Sequence, residues 1–408
     1  MKCRHCFAEL EIPLANLGSA PPSNAYLTRQ SLSAPEKWYP LKVSICSNCW
    51  LAQTEDYTGR EELFSSEYAY FSSYSSTWLE HSKKYALAMI ERFKLGPNSM
   101  VGEIASNDGY LLQFFQEKGI PCYGVEPTES TATVAINKNL TVFMEFFGVD
   151  FAKKLVKNNY GADLLIANNV LAHVPNINDF VSGFSLLLNP EGVATFEFPH
   201  LYRLMTESQF DTIYHEHFSY LSLSAVKRIF EKNGLSVFDV EELPTHGGSL
   251  RVFAQRIDTG KQPISQRVAE LLNLESNAGM ANLSFYAGFQ NRITDIKQQF
   301  LKFLLEAQSK QEKVVGYGAA AKGNTLLNFS GVRPDLLAYV VDRNPAKQHK
   351  YLPGSRIPIV AENQLSLDKP HWIVILPWNL RDEIAAQLAY VRDWGAKFVT
   401  AIPSLAIF

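Results

Sequence analysis

Four cysteines form two short pairs near the start of this 408-residue chain. Cys3 and Cys6 make one C-x-x-C knuckle and Cys46 and Cys49 make the second, with 39 residues between the pairs. Two such knuckles supply the four thiolates that complete a tetrahedral Zn²⁺ site. A redox dithiol and a nucleic-acid-reading finger are the alternatives, but no thioredoxin-like βαβ pattern surrounds either pair and basic residues are not clustered. We therefore predict a structural zinc site.

A second group of reactive side chains lies in DTIYHEHFSYLS, residues 211 to 222. It contains Tyr214, Glu216 and His217 within four positions. The H-x-H spacing resembles a metal pair, but the H-E-x-x-H motif is absent and no third ligand is evident nearby. A histidine titrates near neutral pH, so His217 suits proton transfer, with Glu216 or a tyrosine hydroxyl orienting its ring. A helix cap with buried histidines is the alternative for this segment.

An acidic loop lies between residues 98 and 128, a segment whose pattern indicates a strand, a loop, a helix and a second strand. Where a dinucleotide site would have G-x-G-x-x-G, this loop has Glu103 and Asp108 among small residues. Two carboxylates repel a pyrophosphate but suit a ligand with an amino group and a positive sulfonium. Glu126, at the tip of the second strand, can accept ribose hydroxyls. We predict S-adenosylmethionine (SAM) as the ligand; an ordinary α/β turn is the alternative.

Alternating elements must position these groups. After the loop, the pattern predicts helices near 129–138, 150–158 and 177–188, and strands at 141–144, 163–167 and 193–198. Such alternation predicts a mostly parallel, doubly wound sheet, in which ligands bind beyond the carboxyl ends of the strands. Asn168 and His173 follow one strand, so we expect them in the same crevice as the acidic loop. Residues 224 to 256 predict a helix and an antiparallel hairpin with THGGS at its turn.

A second βαβ pattern begins at Lys313, after polar helices predicted across residues 264 to 310. Its loop, GYGAAAKGN, carries Gly316 and Gly318, followed by Lys322 and Asn324. Small residues and a lysine suit a phosphorylated ligand at a helix N-terminus, although an isolated G-x-G is a weak signal. The opposite chemistry of the two loops predicts two nucleotide-bearing ligands that meet between domains.

Aromatic and serine residues are dense between residues 55 and 78. Any single ring there is by default a core residue. Hydroxyls that alternate with rings also suit a lid over a polar, ring-shaped ligand, which makes Tyr68 and Tyr70 site candidates.

Composition bounds the broad class of the protein. A net charge of -3 provides no general attraction to nucleic acid or to an anionic membrane. We find no apolar run of about 18 residues and no signal-peptide pattern, and the paired cysteines fit a reducing compartment, so we expect a cytoplasmic location. We expect three domains, with bounds 1–60, 61–260 and 261–408, in a monomer or a weak homodimer.

The ordered motifs together resemble the SAM-dependent nucleotide-sugar C-3'-methyltransferases of deoxysugar and branched-sugar pathways. The resemblance covers nearly the whole chain and rests on the C-x-x-C knuckles, SEYAYFSSYS, EIASNDG, GVEPT, NNVLAHVPN, YHEHFSY, HGGSLR and GYGAAAKGN. It implies a zinc module, a Rossmann-like SAM domain and a smaller C-terminal Rossmann-like domain. These would surround a cleft for a dTDP-linked 4-keto-6-deoxy hexose. One departure is Ala105, where the family usually has glycine.

The resemblance also implies roles for individual residues. His217 would remove the C-3 proton, which the C-4 ketone acidifies, and the enolate would attack the sulfonium methyl. The groups expected to position the sugar or stabilise its oxyanion are Tyr68, His173, Tyr214 and Glu216. Those expected to contact the rest of the nucleotide sugar are Tyr70, Gly316, Gly318, Lys322 and Asn324. Those expected to hold SAM are Glu103, Ala105, Asn107, Asp108, Gly109, Glu126 and Asn168.

Two other functions are alternatives to this one. An NAD-dependent sugar dehydrogenase or epimerase could use the C-terminal loop, but the expected Tyr-x-x-x-Lys pair is missing. A non-catalytic zinc scaffold or nucleic-acid-binding module should carry basic patches, and we find none.

Overall fold

Three β-sheets organise the residues that the computed structural model describes, which are 1 to 57, 71 to 74 and 76 to 408. Tyr68 and Tyr70 lie outside this set. The strands are β1 (Ile12–Ala20), β2 (Tyr39–Ile45), β3 (Ala52–Thr54), β4 (Val101–Ile104), β5 (Cys122–Val125), β6 (Thr141–Phe143), β7 (Ala162–Asn168), β8 (Leu188–Pro199), β9 (Ser219–Tyr220), β10 (Leu235–Leu243), β11 (Ser249–Arg256), β12 (Val314–Tyr317), β13 (Val340–Val341), β14 (Ile359–Val360), β15 (Trp372–Ile375), β16 (Lys397–Thr400) and β17 (Ala406–Ile407).

Helices cover and connect the sheets. In the described ranges they are α1 (Ser76–Phe93), α2 (Leu112–Gln116), α3 (Glu129–Asn137), α4 (Val149–Lys157), α5 (Ile177–Leu187), α6 (Leu201–Thr206), α7 (Leu223–Lys232), α8 (Gln266–Asn277), α9 (Leu283–Tyr286), α10 (Phe289–Ser309), α11 (Ala321–Ser330), α12 (Gln364–Asp368) and α13 (Arg381–Gln387). No helix within these ranges is long and apolar enough to span a lipid bilayer.

The N-terminal sheet has four antiparallel strands in the order β1-β2-β3-β9. Strand β9 comes from far along the chain, in the 211–222 segment. It pairs Tyr220 with Ala52 and Ser219 with Gln53. The sheet that connects the cysteine knuckles is therefore completed by the segment that carries His217, and it crosses the boundary expected near residue 60.

The central sheet has the order β10-β11-β8-β7-β4-β5-β6. Strands β4 to β8 are parallel, and the β10–β11 hairpin adds two antiparallel strands at one edge. Strand β7 is almost entirely apolar, because helices cover both faces of a parallel sheet. The chain turns to opposite sides of the sheet after β4 and after β7, so their loops flank one crevice. The predicted doubly wound fold is confirmed.

The C-terminal sheet has the order β14-β13-β12-β15-β16-β17 and is parallel except for β17. Before it, the polar segment forms the three helices α8, α9 and α10. Helix α10 buries Phe289, Ile293, Ile296 and Phe300 at helical spacing. These side chains share one core with Leu41 of β2 and with residues of the C-terminal sheet. The long helix thus joins the N-terminal and C-terminal sheets.

Candidate functional site

The four knuckle cysteines lie together as a ligand set. Their Sγ atoms are all within 4.8 Å of one another, with 3.5 Å between Cys3 and Cys49 and 3.4 Å between Cys6 and Cys46. Tetrahedral Zn–S bonds of about 2.3 Å would separate sulfur atoms by about 3.8 Å, so the group fits Zn²⁺. All five cysteines of the chain are free thiols. The knuckles offer four soft ligands and no open position, which suits a structural ion.

Contacts run directly from the knuckles to the backbone of His217. The Arg4 backbone N–H donates to Gln53 Oε1 (3.0 Å), and the Arg4 guanidinium donates to the Thr54 carbonyl (2.7 Å). Thr54 in turn donates from its hydroxyl to the His217 carbonyl (3.0 Å) and from its N–H to the Phe218 carbonyl (3.1 Å). The Arg4 guanidinium also lies 5.2 Å from the Phe218 ring centroid. The zinc module therefore holds the segment at His217.

The acidic loop adopts left-handed backbone conformations at three of its positions. Ala105 has φ 58°, Asn107 has φ 49° and Gly109 has φ 75°. A side chain at Gly109 would place its Cβ only 2.3 Å from Leu140, so this position requires glycine. Ala105 takes a conformation that favours glycine, the residue that the resemblance leads us to expect there. The loop is therefore folded sharply at the carboxyl end of β4.

Carboxylates crowd this loop, as the sequence suggested. Burial raises the pKa of Glu103, and the charges of Asp108 and Glu126 raise it further, while a hydrogen bond from Tyr110 opposes them. Burial also raises the pKa of Glu126, against the N–H groups of Thr128 and Asn107, which donate to it at 2.9 Å each. A cationic ligand would relieve this repulsion, and a pyrophosphate would increase it.

Two buried acceptors at the strand ends fit the amino group of SAM. Asp108 Oδ1 and Asn168 Oδ1 are buried and accept no hydrogen bond within the described ranges. Buried polar atoms normally find partners, so these atoms mark positions where a ligand can bind. Ser73 donates from its backbone and hydroxyl to Asp108 Oδ2, and the Ser72 N–H donates to Asn107 Oδ1 (3.0 Å). The serine-rich segment is thus hydrogen-bonded to the acidic loop through Ser72 and Ser73.

His217 is buried, and one hydrogen bond determines which of its ring nitrogens carries the proton. Its Nδ1 donates to the Thr212 carbonyl (2.8 Å), so Nε2 carries the lone pair. Burial lowers the pKa of His217 well below its ordinary value, and the neighbouring His173 lowers it further. The sequence predicted that Glu216 or a tyrosine hydroxyl orients this ring. At Nδ1 this prediction is wrong, because the Thr212 carbonyl accepts the hydrogen bond there. A neutral imidazole in this tautomer keeps a lone pair on Nε2, which can take a proton.

His173 and Tyr214 flank His217. Their ring centroids lie 4.6 Å and 4.0 Å from the His217 ring. Burial lowers the pKa of His173 to about 4, so it is neutral at pH 7. Glu216 instead faces the N-terminal module: its Oε1 accepts from the backbone N–H (3.3 Å) and the amide (3.2 Å) of Asn24. Burial raises the pKa of Glu216, and its Oε2 has no partner among the described residues.

The C-terminal loop is already occupied by side chains of this chain. The Ala319 N–H donates to Asp342 Oδ2 (2.8 Å), and the Ala319 carbonyl accepts from Tyr26 (2.6 Å) and Lys347 (2.8 Å). Gly318 has φ 88° and lies where a Cβ would be 2.6 Å from Pro377. A Cβ on Gly316 would lie 2.9 Å from Val340, so Gly316 allows close strand packing. The G-x-G turn therefore serves packing at this position.

The two polar residues of the C-terminal motif differ in their surroundings. Lys322 Nζ donates to Asn379 Oδ1 (2.7 Å) and lies 4.8 Å from the Trp378 ring centroid. Asn324 is buried, and its amide donates to the Ser23 carbonyl (2.7 Å). Its expected role as a nucleotide contact is not supported by this geometry, because the side chain joins α11 to the N-terminal segment. Lys322 stays beside the cleft, where its charge acts on His217.

Several contributors to the site carried no recognisable sequence signal. Thr54 and Asn24 reach the 211–222 segment from the N-terminal module. Asp211 is fully buried and accepts from the Trp378 indole (2.8 Å), and burial raises its pKa to about 6. Each is a hydrogen-bonding side chain in a short segment of ordinary composition. Such segments are too common to identify a site from the sequence.

Comparisons with known proteins cover the whole chain. It is 32% identical to the C-methyltransferase NovU of Streptomyces niveus over 402 residues, which is 98% of this chain and 95% of that protein. Family models match a zinc binding domain at residues 3–64, a methyltransferase domain at 78–240 and a C-methyltransferase C-terminal domain at 244–403.

Solved structures overlap with part of the chain. Magnesium protoporphyrin IX methyltransferase (ChlM) from Synechocystis PCC 6803 with bound SAM aligns with 44% of this chain and 79% of that chain, at 16% identity and a TM-score of 0.33. A SAM-dependent methyltransferase from Clostridium acetobutylicum ATCC 824 aligns with 45% and 92% of the two chains, at 11% identity and a TM-score of 0.35.

Proposed function

Because the chain belongs to the SAM-dependent C-methyltransferase family, we propose that it methylates C-3' of a nucleotide-linked 4-keto-6-deoxy hexose, with His217 as the base. The observation that carries this proposal is the state of His217. It is a buried, neutral imidazole, its Nδ1 proton is held by the Thr212 carbonyl, and it lies next to two further rings that can bond to oxygen. C-methylation needs such a base, because a carbon acceptor must lose a proton before it can attack.

The residues divide the proton transfer into two tasks. His217 Nε2 takes the C-3 proton, and the C–H electron pair moves into the C-3–C-4 bond as the C-4 carbonyl becomes an enolate oxygen. Tyr214 lies beside His217, and a hydrogen bond from its hydroxyl to that oxygen would lower the barrier where negative charge develops. Burial keeps His173 neutral, and its ring hydrogen-bonds to the Glu216 backbone, so it supports the segment at His217 without adding a positive charge.

Bound SAM would supply an electrophilic methyl group on a sulfonium. C-3 of the enolate would take this methyl as the methyl–sulfur bond breaks, with the electron pair of that bond left on sulfur. Asp108, Asn168 and Glu126 would hold the donor on the central sheet, while the 211–222 segment would hold the acceptor. In-line transfer then depends on how firmly these elements are fixed, because reacting atoms must approach to about 3 to 3.5 Å.

The dehydrogenase alternative is weakened by the C-terminal loop. A dinucleotide needs free backbone N–H groups for its pyrophosphate. Here the Ala319 N–H is bonded to Asp342, and Tyr26 lies against the same residue. A pyrophosphate would meet the Asp342 carboxylate at this point.

The proposal is tested with labelled SAM and dTDP-, GDP- and CDP-linked 4-keto-6-deoxy sugars, with products read by mass spectrometry. We expect transfer to at least one sugar, loss of transfer in His217→Ala, and unchanged binding of S-adenosylhomocysteine by calorimetry. His371→Ala, which removes an exposed histidine on the C-terminal domain, is the matched control. If His217→Ala retained most activity, another group would have to be the base.

A further inference from the structure

His246 has a strained backbone that its turn does not need. It lies in the turn between β10 and β11, with φ 55° and ψ 18°, inside a short 3-10 segment. Gly247 and Gly248 follow with φ 89° and 112°. Glycine adopts these conformations without strain, and it would serve the backbone at position 246 equally well. The imidazole is therefore the feature of this residue that needs an explanation.

The surrounding structure holds the turn in place. Thr245 donates from its hydroxyl to Glu197 Oε1 (3.1 Å), and Gln209 donates to the Gly247 carbonyl (2.7 Å). A Cβ on Gly247 would lie 2.5 Å from the Trp378 ring, so the turn is packed directly against the C-terminal domain. A residue that is fixed this firmly can keep an unfavourable backbone conformation.

The position of the turn places His246 at the crevice edge. Ser249 pairs with Pro199 at the carboxyl end of β8, next to the strand end that carries Asn168. The His246 ring lies 5.6 Å from the Trp78 ring, which also packs against Tyr110 of the SAM loop at 6.1 Å. The next two residues of the turn, Gly247 and Gly248, line a cavity of about 450 Å³ together with Trp378 and Asn379.

The chemistry of the ring selects its ligand. Burial lowers the pKa of His246 to about 4, and the charge of Lys322 lowers it further. At pH 7 the ring is neutral, with one donor and one acceptor nitrogen. Among the described residues it makes no hydrogen bond, and a minor part of its surface remains exposed. Such a ring complements a hydroxyl or carbonyl group better than a phosphate, which favours cationic partners.

We propose that His246 contacts the sugar of the acceptor and hydrogen-bonds one of its hydroxyl or carbonyl oxygens, an inference that rests on the function proposed above. The His246 ring lies near enough to His217 and His173 for charge on one ring to lower the pKa of another. His246 adds a contact from the β10–β11 turn. Its role is to hold the sugar while His217 acts on C-3.

The test compares three variants. His246→Gly removes the ring and keeps the backbone conformation, and His246→Asn keeps a donor and an acceptor in a residue that tolerates positive φ. Lys94→Gly is the control, because Lys94 is exposed at φ 52° away from the crevice. The measurements are KM and kcat for the nucleotide 4-keto sugar, the affinity for S-adenosylhomocysteine, and the melting temperature.

We expect His246→Gly to raise KM for the sugar about tenfold, as loss of one hydrogen bond to an uncharged group should, and His246→Asn to recover part of it. Cofactor affinity should stay unchanged, and the melting temperature should change as it does in Lys94→Gly. Unchanged KM and kcat in His246→Gly would overturn the inference, as would a parallel loss of cofactor affinity. If the wild-type protein bound cofactor but none of the sugars, the proposed function itself would fail.

Discussion

Thr54→Val tests whether the zinc module positions the proposed base. Thr54 is buried, and its hydroxyl donates to the His217 carbonyl at 3.0 Å. Valine has nearly the same shape but cannot donate, so the substitution removes this bond and leaves the buried carbonyl without that donor. The β3–β9 pairing through the Thr54 N–H remains. The perturbation is thus confined to one bond on the residue whose ring is proposed to take the proton.

The size of the effect follows from that bond. An unsatisfied buried acceptor costs about 1 to 3 kcal/mol, which should appear in the free energy of unfolding. If His217 relaxes to recover a partner, its ring moves relative to the C-3 proton. A loss of about 1.4 kcal/mol of alignment lowers kcat about tenfold. We therefore expect kcat to fall about tenfold, with KM and cofactor affinity nearly unchanged.

The assay needs a control that is destabilised without touching His217. Val43 is buried on β2, directly opposite Thr54 in the sheet, and Val43→Ala leaves a cavity there. Thr54→Ser should restore most of the lost kcat because it restores the donor. Zinc content is measured in every variant. If Thr54→Val lowered stability as much as Val43→Ala did, and the two variants had the same kcat, the zinc module would support the fold without positioning the base.

Three further predictions concern stability and the two ligand sites. Burial lowers the pKa of His173 to about 4, so as pH falls the unfolded state takes up a proton at this residue before the folded state does. The free energy of unfolding should therefore drop by roughly 1 to 3 kcal/mol between about pH 6.5 and 4. Denaturant titration should show a shallower slope in His173→Gln. Cys46→Ser should lower both zinc content and melting temperature, because it breaks the tetrahedral set; unchanged folding with lost turnover would instead make the metal part of the chemistry. Ala105→Gly should keep cofactor affinity and leave stability within about 1 kcal/mol, because glycine fits φ 58° without strain; a large loss of affinity by calorimetry would show that the methyl contacts the ligand.

The features that the sequence predicted are local ones. Cysteine spacing predicted the thiolate cluster, because a C-x-x-C knuckle sets two ligands within one turn of chain. Alternating apolar runs predicted the parallel sheet, because a strand buried on both faces is apolar throughout. The acidic loop predicted a cationic ligand, because its carboxylates lie within a few residues of each other. In each case the physical cause acts between neighbouring residues, so it produces a pattern in the amino-acid sequence.

The partners of the reactive side chains were decided by the tertiary structure. Glu216 was expected beside the His217 ring, yet it bonds to Asn24 from the start of the chain. Asn324 was expected at a ligand, yet it bonds to Ser23. The strand after His217 completes the sheet of the zinc module, which residue spacing could not indicate. The sequence alone thus determined which chemical groups are present and which local elements carry them, whereas folding decided which groups meet, because hydrogen bonds between distant segments depend on how whole sheets pack together.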